Sequence, residues 1–174
     1  MDNYGFIREK VDIKVLILFS LRHLPAPVDD QMLLELTMCD NAINYFDYRE
    51  CLTELQETGH IVCTNDAYVI TGFGRETLAE MESSLPYTIR TKAGAAAQRA
   101  AKVLSREAMI HTSHELRSDG SCNVHLGLSD QLGQIMDLQI LAGSEKQAAG
   151  MEQRFRKNAE ALYLKIAGLL LEEK

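Results

Sequence analysis

A chain of 174 residues, 46% apolar and 25% charged, can build one domain with a real core or two small ones, and it is too apolar for large-scale disorder. Its net charge of −7 is unevenly held: residues 1–84 carry 6 Lys/Arg against 15 Asp/Glu, a balance of −9, whereas residues 85–174 carry 12 against 10, a balance of +2. The longest apolar stretch, Val15–Leu21, is far too short to span a bilayer, and the start MDNYGFIREK has no apolar signal core, so a cytoplasmic protein without membrane contact is expected.

The first predicted element is a helix over Arg8–Leu24. Ile13, Leu16, Ile17, Phe19, Leu21 and Leu24 supply an apolar stripe, and Arg8, Lys10, Asp12, Lys14 and Arg22 mark the solvent side. Pro25 and Pro27 stop it. A second helix follows, with Asp29 as N-cap, Val28 stapled onto Leu33, and Leu33, Leu34 and Leu36 facing inward. A third is read from Asp47-Tyr-Arg-Glu50 as a capping box, with Cys51, Leu52 and Leu55 inward and Gly59 as the stop. Its exposed face near the start carries Tyr48, Arg49 and Thr53, with Gln56 one turn on. Two β-branched runs, 60–64 and 67–71, flank Asn65-Asp66 and predict a hairpin. Thr71 then caps a short helix to about Ser83.

Helix, helix, helix, hairpin, helix is the order of a winged helix-turn-helix. Tyr68-Val-Ile-Thr71 followed by Gly74-Arg75-Glu76 resembles the end of the wing in bacterial winged-helix transcriptional regulators. Asn44-Tyr-Phe-Asp47, Leu52, Leu55 and Gly59-His60-Ile61 resemble an uncharacterised bacterial domain-of-unknown-function family with an N-terminal winged helix. That resemblance covers nearly the whole chain, including the helix around Tyr163. It implies the fold and no established activity.

The boundary between domains is expected at 84/85, before Leu85-Pro86, giving a winged-helix domain over 1–84 and an α-β-β-β-α domain over 85–174 for dimerisation or sensing. A helix from about 87 to 106 is rich in alanine and is the most basic segment of the chain, with Arg90, Lys92, Arg99, Lys102 and Arg106. Three alternating runs follow, at 108–117, 123–128 and 135–141, read as a three-stranded antiparallel meander. A three-residue loop, Ser118-Asp119-Gly120, pairs Thr112 with Leu126 and Ile110 with Leu128, with Gly120 in the left-handed position; a two-residue loop would mix the two faces. Ser144 caps a last helix from Glu145 to about Glu172. One apolar stripe runs along Met151, Phe155, Ala159, Leu162, Ile166 and Leu169, and a second along Leu164, Ala167 and Leu171. One small sheet cannot cover so much apolar surface, so a homodimer is expected, its interface formed by Phe155, Leu162, Leu164, Ile166 and Leu171. The expected fold class is therefore α+β.

Catalytic motifs are missing: there is no phosphate-binding glycine loop, no nucleophile elbow and no H-E-x-x-H. An enzyme is not expected, and no cofactor or metal is implied. Cys39, Cys51, Cys63 and Cys122 form no close ligand pair and read as free thiols. His111 and His114 fall on opposite faces of a strand, and His125 shares the face of His111. The candidates for reading bases in double-stranded DNA are Tyr48, Arg49, Thr53 and Gln56 on the third helix. Arg90, Lys92, Arg99 and Lys102 are candidates for phosphate contact, with solubilising surface charge as the competing reading. The expected function is a homodimeric, DNA-binding transcriptional regulator. The acidic N-terminal half keeps two alternatives open: a protein-interaction module built on a winged helix, and a small-molecule sensor.

Overall fold

A computed structural model describes residues 6, 7 and 9–171 of the chain. The chain divides into two compact units, residues up to Leu104 and residues from Ser105 onward. Among the described residues the fold is α+β, with six α-helices and two three-stranded antiparallel sheets.

The first unit is arranged around α1 (Lys10–Arg22). Ile13 and every residue from Val15 to Leu21 are buried, so this helix is enclosed on nearly all sides and is no simple amphipathic surface helix. It packs against α2 (Asp30–Thr37), α3 (Tyr45–Glu57), α4 (Gly72–Met81) and strand β3 (Ala67–Ile70). Strand β2 (Ile61–Thr64) pairs with β3 through the turn at Asn65 and Asp66. Both turn residues have positive φ, at 51° and 60°, the twist that matches a two-residue hairpin to its strands. The expected start of the first helix at Arg8 lies outside the described residues.

A short strand, β1 (Val28–Asp29), pairs with β3 on its other edge and gives the sheet order β1-β3-β2. Two residues are too few for an alternating pattern, which is why sequence spacing reads this segment only as a helix entry. Asp29 still caps α2, its Oδ1 accepting from the Met32 amide at 2.8 Å.

The start of α3 corrects the sequence reading. Asn44, not Asp47, is the N-cap: its Oδ1 accepts from the Asp47 amide at 2.9 Å, and its side-chain amide donates to the Asp47 carboxylate. Glu50 does not close a capping box, because Lys10 of α1 takes it at 2.5 Å. The helix therefore begins about one turn earlier than its sequence pattern suggests. Its end is as expected. Gly59 has φ of 74°, its amide donates to Gln56 O at 3.0 Å, and the His60 amide donates to Leu55 O at 2.9 Å, which is a Schellman closure.

Thr71 caps α4, accepting from the Gly74 amide at 3.0 Å while its own hydroxyl donates toward Gly59 O at 2.8 Å. A single 3-10 turn, Glu82–Ser84, leads to Pro86 and the long helix α5 (Tyr87–Ala108). Ile89, Ala93 and Ala97 of α5 are buried in the core of the first unit. Composition changes at 84/85, but the contacts divide the chain inside α5, after Leu104, because these small side chains pack with the N-terminal elements.

The second unit is a meander, β4 (Ile110–Leu116), β5 (Cys122–Ser129) and β6 (Gln134–Ala142), with α6 (Glu145–Leu171) on one face. Ile110 pairs with Leu128 and Thr112 with Leu126, the register that the three-residue loop requires. Arg117 and Ser121 close that loop with a 2.8 Å hydrogen bond, and Gly120 has φ of 82°. Ile110, Val124, Leu126, Leu128 and Met136 meet Phe155 and Ala159 of α6 in a separate core. At Asn158 the backbone of α6 leaves helical geometry, with φ of −134°, and the Asn158 side-chain amide donates to Arg154 O at 3.1 Å. The expected helix end at Glu172 lies outside the described residues.

Candidate nucleic-acid interface

Helix α3 has one buried and one open side. Tyr48, Cys51, Leu52 and Leu55 face the core, and burial pushes the Cys51 thiol up to about 11. Phe46, Glu50, Thr53, Gln56 and Glu57 are exposed, with Arg49 beside them and more than a third exposed. These residues recur at three- and four-residue spacing and so share a face. The helix packs against β2, which brings the hairpin alongside it.

Electrostatics on this face are specific. Lys10 and Lys14 of α1 pair with Glu50 and Glu54, so two of the acids on α3 have fixed partners. The Glu50 carboxylate beside Lys10 raises the ammonium above its ordinary value, and Lys14 lowers the Glu54 carboxyl. Asp30, at the start of α2, accepts through one oxygen from Arg49 Nη1 at 2.7 Å and from Tyr48 Oη at 3.2 Å. Burial, then the Asp30 charge, drives the Tyr48 hydroxyl far above its ordinary value, so it remains a neutral donor.

Of the four base-reading candidates, three share the open side. Arg49 is partly exposed and held by Asp30, Thr53 is exposed with its hydroxyl donating to Arg49 O at 3.0 Å, and Gln56 is exposed. Tyr48 is not among them. It is fully buried, because helix spacing puts it with Cys51, Leu52 and Leu55, and it cannot reach a groove. Sequence reading misses Phe46, whose ring is 81% exposed and packs edge-on against Tyr45 at 6.0 Å. The signal was present: position 46 is apolar yet out of phase with 48, 51, 52 and 55.

The basic candidates on α5 separate in the same way. Lys92, Arg99 and Lys102 are exposed, whereas Arg90 is half-buried and its Nε has no hydrogen-bond partner among the described residues. Arg106 is tied down by Glu160, at 2.6 and 2.8 Å, and by Arg156 O.

The expected dimer residues divide too. Phe155 is 3% exposed and belongs to the core of its own unit, so it cannot form an intermolecular surface. Leu162 and Ile166 pack partly against that core. Leu164 and Leu171 are exposed, together with Leu169 and Leu170.

The open face of the meander carries His111, Ser113, His125 and Asp137 around Gly127, in a cleft of about 470 Å³. His114 faces the other way, with Nδ1 2.7 Å from Glu152 of α6. Among the described residues no group of three His, Cys, Asp or Glu side chains could hold a metal ion. The four cysteines are free, and no described helix is long and apolar enough to cross a membrane.

The unit with the open α3 and the meander unit lie together within one family match. Residues 13–170 match the model of the family described as "Domain of unknown function (DUF4364)", and the chain belongs to that family. Comparison with curated proteins and with solved structures gives no match.

Proposed function

We propose that the first unit is a winged helix-turn-helix and that the protein is a homodimeric, DNA-binding transcriptional regulator whose α3 enters the major groove. The observation that carries this reading is the open face of α3, with Phe46, Arg49, Thr53 and Gln56 in line beside an antiparallel hairpin. The element order α1-β1-α2-α3-β2-β3-α4, with the third strand closing the sheet, supports it. Arg49 is the base-reading cation, and it must exchange Asp30 for the nucleic acid.

The dimer is formed through the exposed end of α6. Leu164, Leu169, Leu170 and Leu171 are each more than 60% exposed. Leu164 and Leu171, seven residues apart, share one face of the helix, and burying a leucine side chain fully is worth roughly 1.5–3 kcal/mol, so four from two protomers supply about 6–12 kcal/mol, against an association cost of about 4–15 kcal/mol.

Fluorescence anisotropy on duplexes selected from a random pool, at low salt, tests the DNA reading. Selective binding that Arg49→Ala weakens is expected. Failure of the wild-type dimer to retain any duplex refutes it. The second reading is a protein-interaction module, favoured by the −9 balance of residues 1–84 and by the exposed Tyr45 and Phe46. Stoichiometric capture of one protein partner that Phe46→Ala abolishes, without DNA, would favour this second reading.

A further inference from the structure

We infer that the cleft between α6 and the sheet of the second unit binds one medium-length fatty acid, its acyl chain along Met151, Phe155 and Leu162 and its carboxylate on Arg154. The cleft has a volume of about 270 Å³. Leu126, Met151, Phe155 and Leu162 supply its apolar walls, and Arg154 and Asn158 are the polar residues of its lining. It exists because α6 packs chiefly over β4 and β5. On the β6 side the inner face of the sheet is less covered, with Leu138 half-buried and Ile140 38% exposed. Leaving such a groove in water is costly, and an apolar chain relieves that cost.

Charge selects the head group. Arg154 is exposed, and its guanidinium has no ion pair or hydrogen bond among the described residues; only its carbonyl is engaged, accepting from the Asn158 amide at 3.1 Å. Met151 and Arg154 also line an adjoining cleft of about 400 Å³ with Ser144, Lys146 and Gln147, and Lys146 is a second exposed cation with no ion pair among the described residues. No acid lines either cleft. Glu152 of α6 is held by His114, and Glu160 by Arg106. Glu145 precedes Arg154 by about two and a half turns, which puts it on the opposite side of the helix. The apolar slot therefore opens onto two cations that want an anion. A carboxylate fits the guanidinium, taking two parallel N–H bonds from its edge.

Length and volume agree on the chain. Leu162 lies about 12 Å along the helix axis from Arg154. An extended chain advances roughly 1.2 Å per bond, so about ten bonds cover that span. At about 30 Å³ for each water-sized group, the cleft holds about nine. Both point to an acid of about nine or ten carbons. The site lies wholly within the second unit and stands whether or not α3 meets DNA.

Titration calorimetry on the full chain, with straight-chain acids from hexanoate to tetradecanoate and with decanol, tests the inference. Affinity should rise about fourfold for each added methylene up to about ten carbons and then level off, because the slot is full. Decanol, which lacks the charge, should bind about tenfold more weakly than decanoate. Arg154→Gln should weaken decanoate about tenfold and leave decanol unchanged, and Lys102→Gln, an exposed cation of the first unit, should change neither. No saturable decanoate binding by the folded wild type up to about 1 mM overturns the inference. So does affinity that keeps climbing through tetradecanoate, or an equal loss of decanoate and decanol in Arg154→Gln. Decanoate binding by the Leu164→Glu with Leu171→Glu variant alone would show that a second copy covers the cleft, and it overturns the inference as well. Tighter binding to vesicles of anionic phospholipid than to free decanoate does the same.

Discussion

Two glycines of α4, two residues apart, are expected to respond to alanine with opposite signs. A Cβ on Gly74 would lie 3.0 Å from Ile70 Cγ1 and 3.1 Å from the His60 carbonyl carbon, and closer still to the His60 oxygen. That oxygen is backbone and cannot rotate away, so the start of α4 must part from the end of α3 by on the order of 1 Å. Overpacking of this kind costs about 1–3 kcal/mol. The same movement stretches the Thr71 amide from His60 O, now 3.0 Å, a bond worth roughly 0.5–1.5 kcal/mol. Better helix propensity returns about 1 kcal/mol. Gly74→Ala should therefore destabilise the first unit by about 1–3 kcal/mol. Gly72 has nothing within 4 Å of the corresponding position, so Gly72→Ala should be neutral or stabilise by up to about 1 kcal/mol. Urea unfolding of the full chain, followed by tyrosine fluorescence and circular dichroism, reads both. Gly74→Ala within about 0.5 kcal/mol of wild type, or Gly72→Ala as costly as Gly74→Ala, would refute the close-approach account.

Three further outcomes are expected. Tyr48→Phe keeps the buried ring and removes the hydroxyl that Asp30 accepts from, and should cost about 1 kcal/mol in urea unfolding; a loss above roughly 3 kcal/mol would mean that the ring itself had moved. Glu82 has a carboxyl held below its ordinary value of 4.5, chiefly by its hydrogen bond from Arg22, so its contribution is complete above pH ~5 and fades as pH falls through the folded value. Glu82→Gln should lower stability near neutrality by roughly 1 kcal/mol, after allowance for partial solvent screening, and flatten the acid limb of the stability curve; an unchanged acid limb counts against the pairing. For the dimer, light scattering should show two copies at micromolar concentration and a monomer for Leu164→Glu with Leu171→Glu, and a wild-type monomer removes the proposed α6 contact.

Elements with strong local chemistry were legible in the sequence. The Asn65-Asp66 turn, the Thr71 cap, the Gly59 stop, the Gly120 loop and the whole register of β4 against β5 follow from residue type and spacing. What escaped was decided by tertiary partners. Glu50 looks like half of a capping box until Lys10, forty residues earlier, is seen to claim it. Val28–Asp29 becomes a strand only because β3 offers it an edge. Tyr48 and Phe46 are two aromatics two positions apart, and the true helix start decides which is buried. Arg90 reads like Lys92 in the sequence, yet one turns into a cleft and the other into solvent.

The acidity of the N-terminal half bears on the proposed function less simply than its total suggests. On α3, Glu50 and Glu54 are matched by Lys10 and Lys14, and Asp47 takes the Asn44 amide, so Glu57 is the acid on this helix for which no such pairing is seen among the described residues. The field at the open face is then set by Arg49, its competitor Asp30 and the exposed Glu57 rather than by the sum over residues 1–84. A duplex approaching this face meets a cation already paired, and binding exchanges one anion for another. Such an exchange releases few counter-ions for each contact. With one or two cations of this kind per protomer, a dimer neutralises about two to four phosphates, and the slope of log K against log salt should be about −2 to −4. A slope near −10 would demand a basic surface that α3 does not possess.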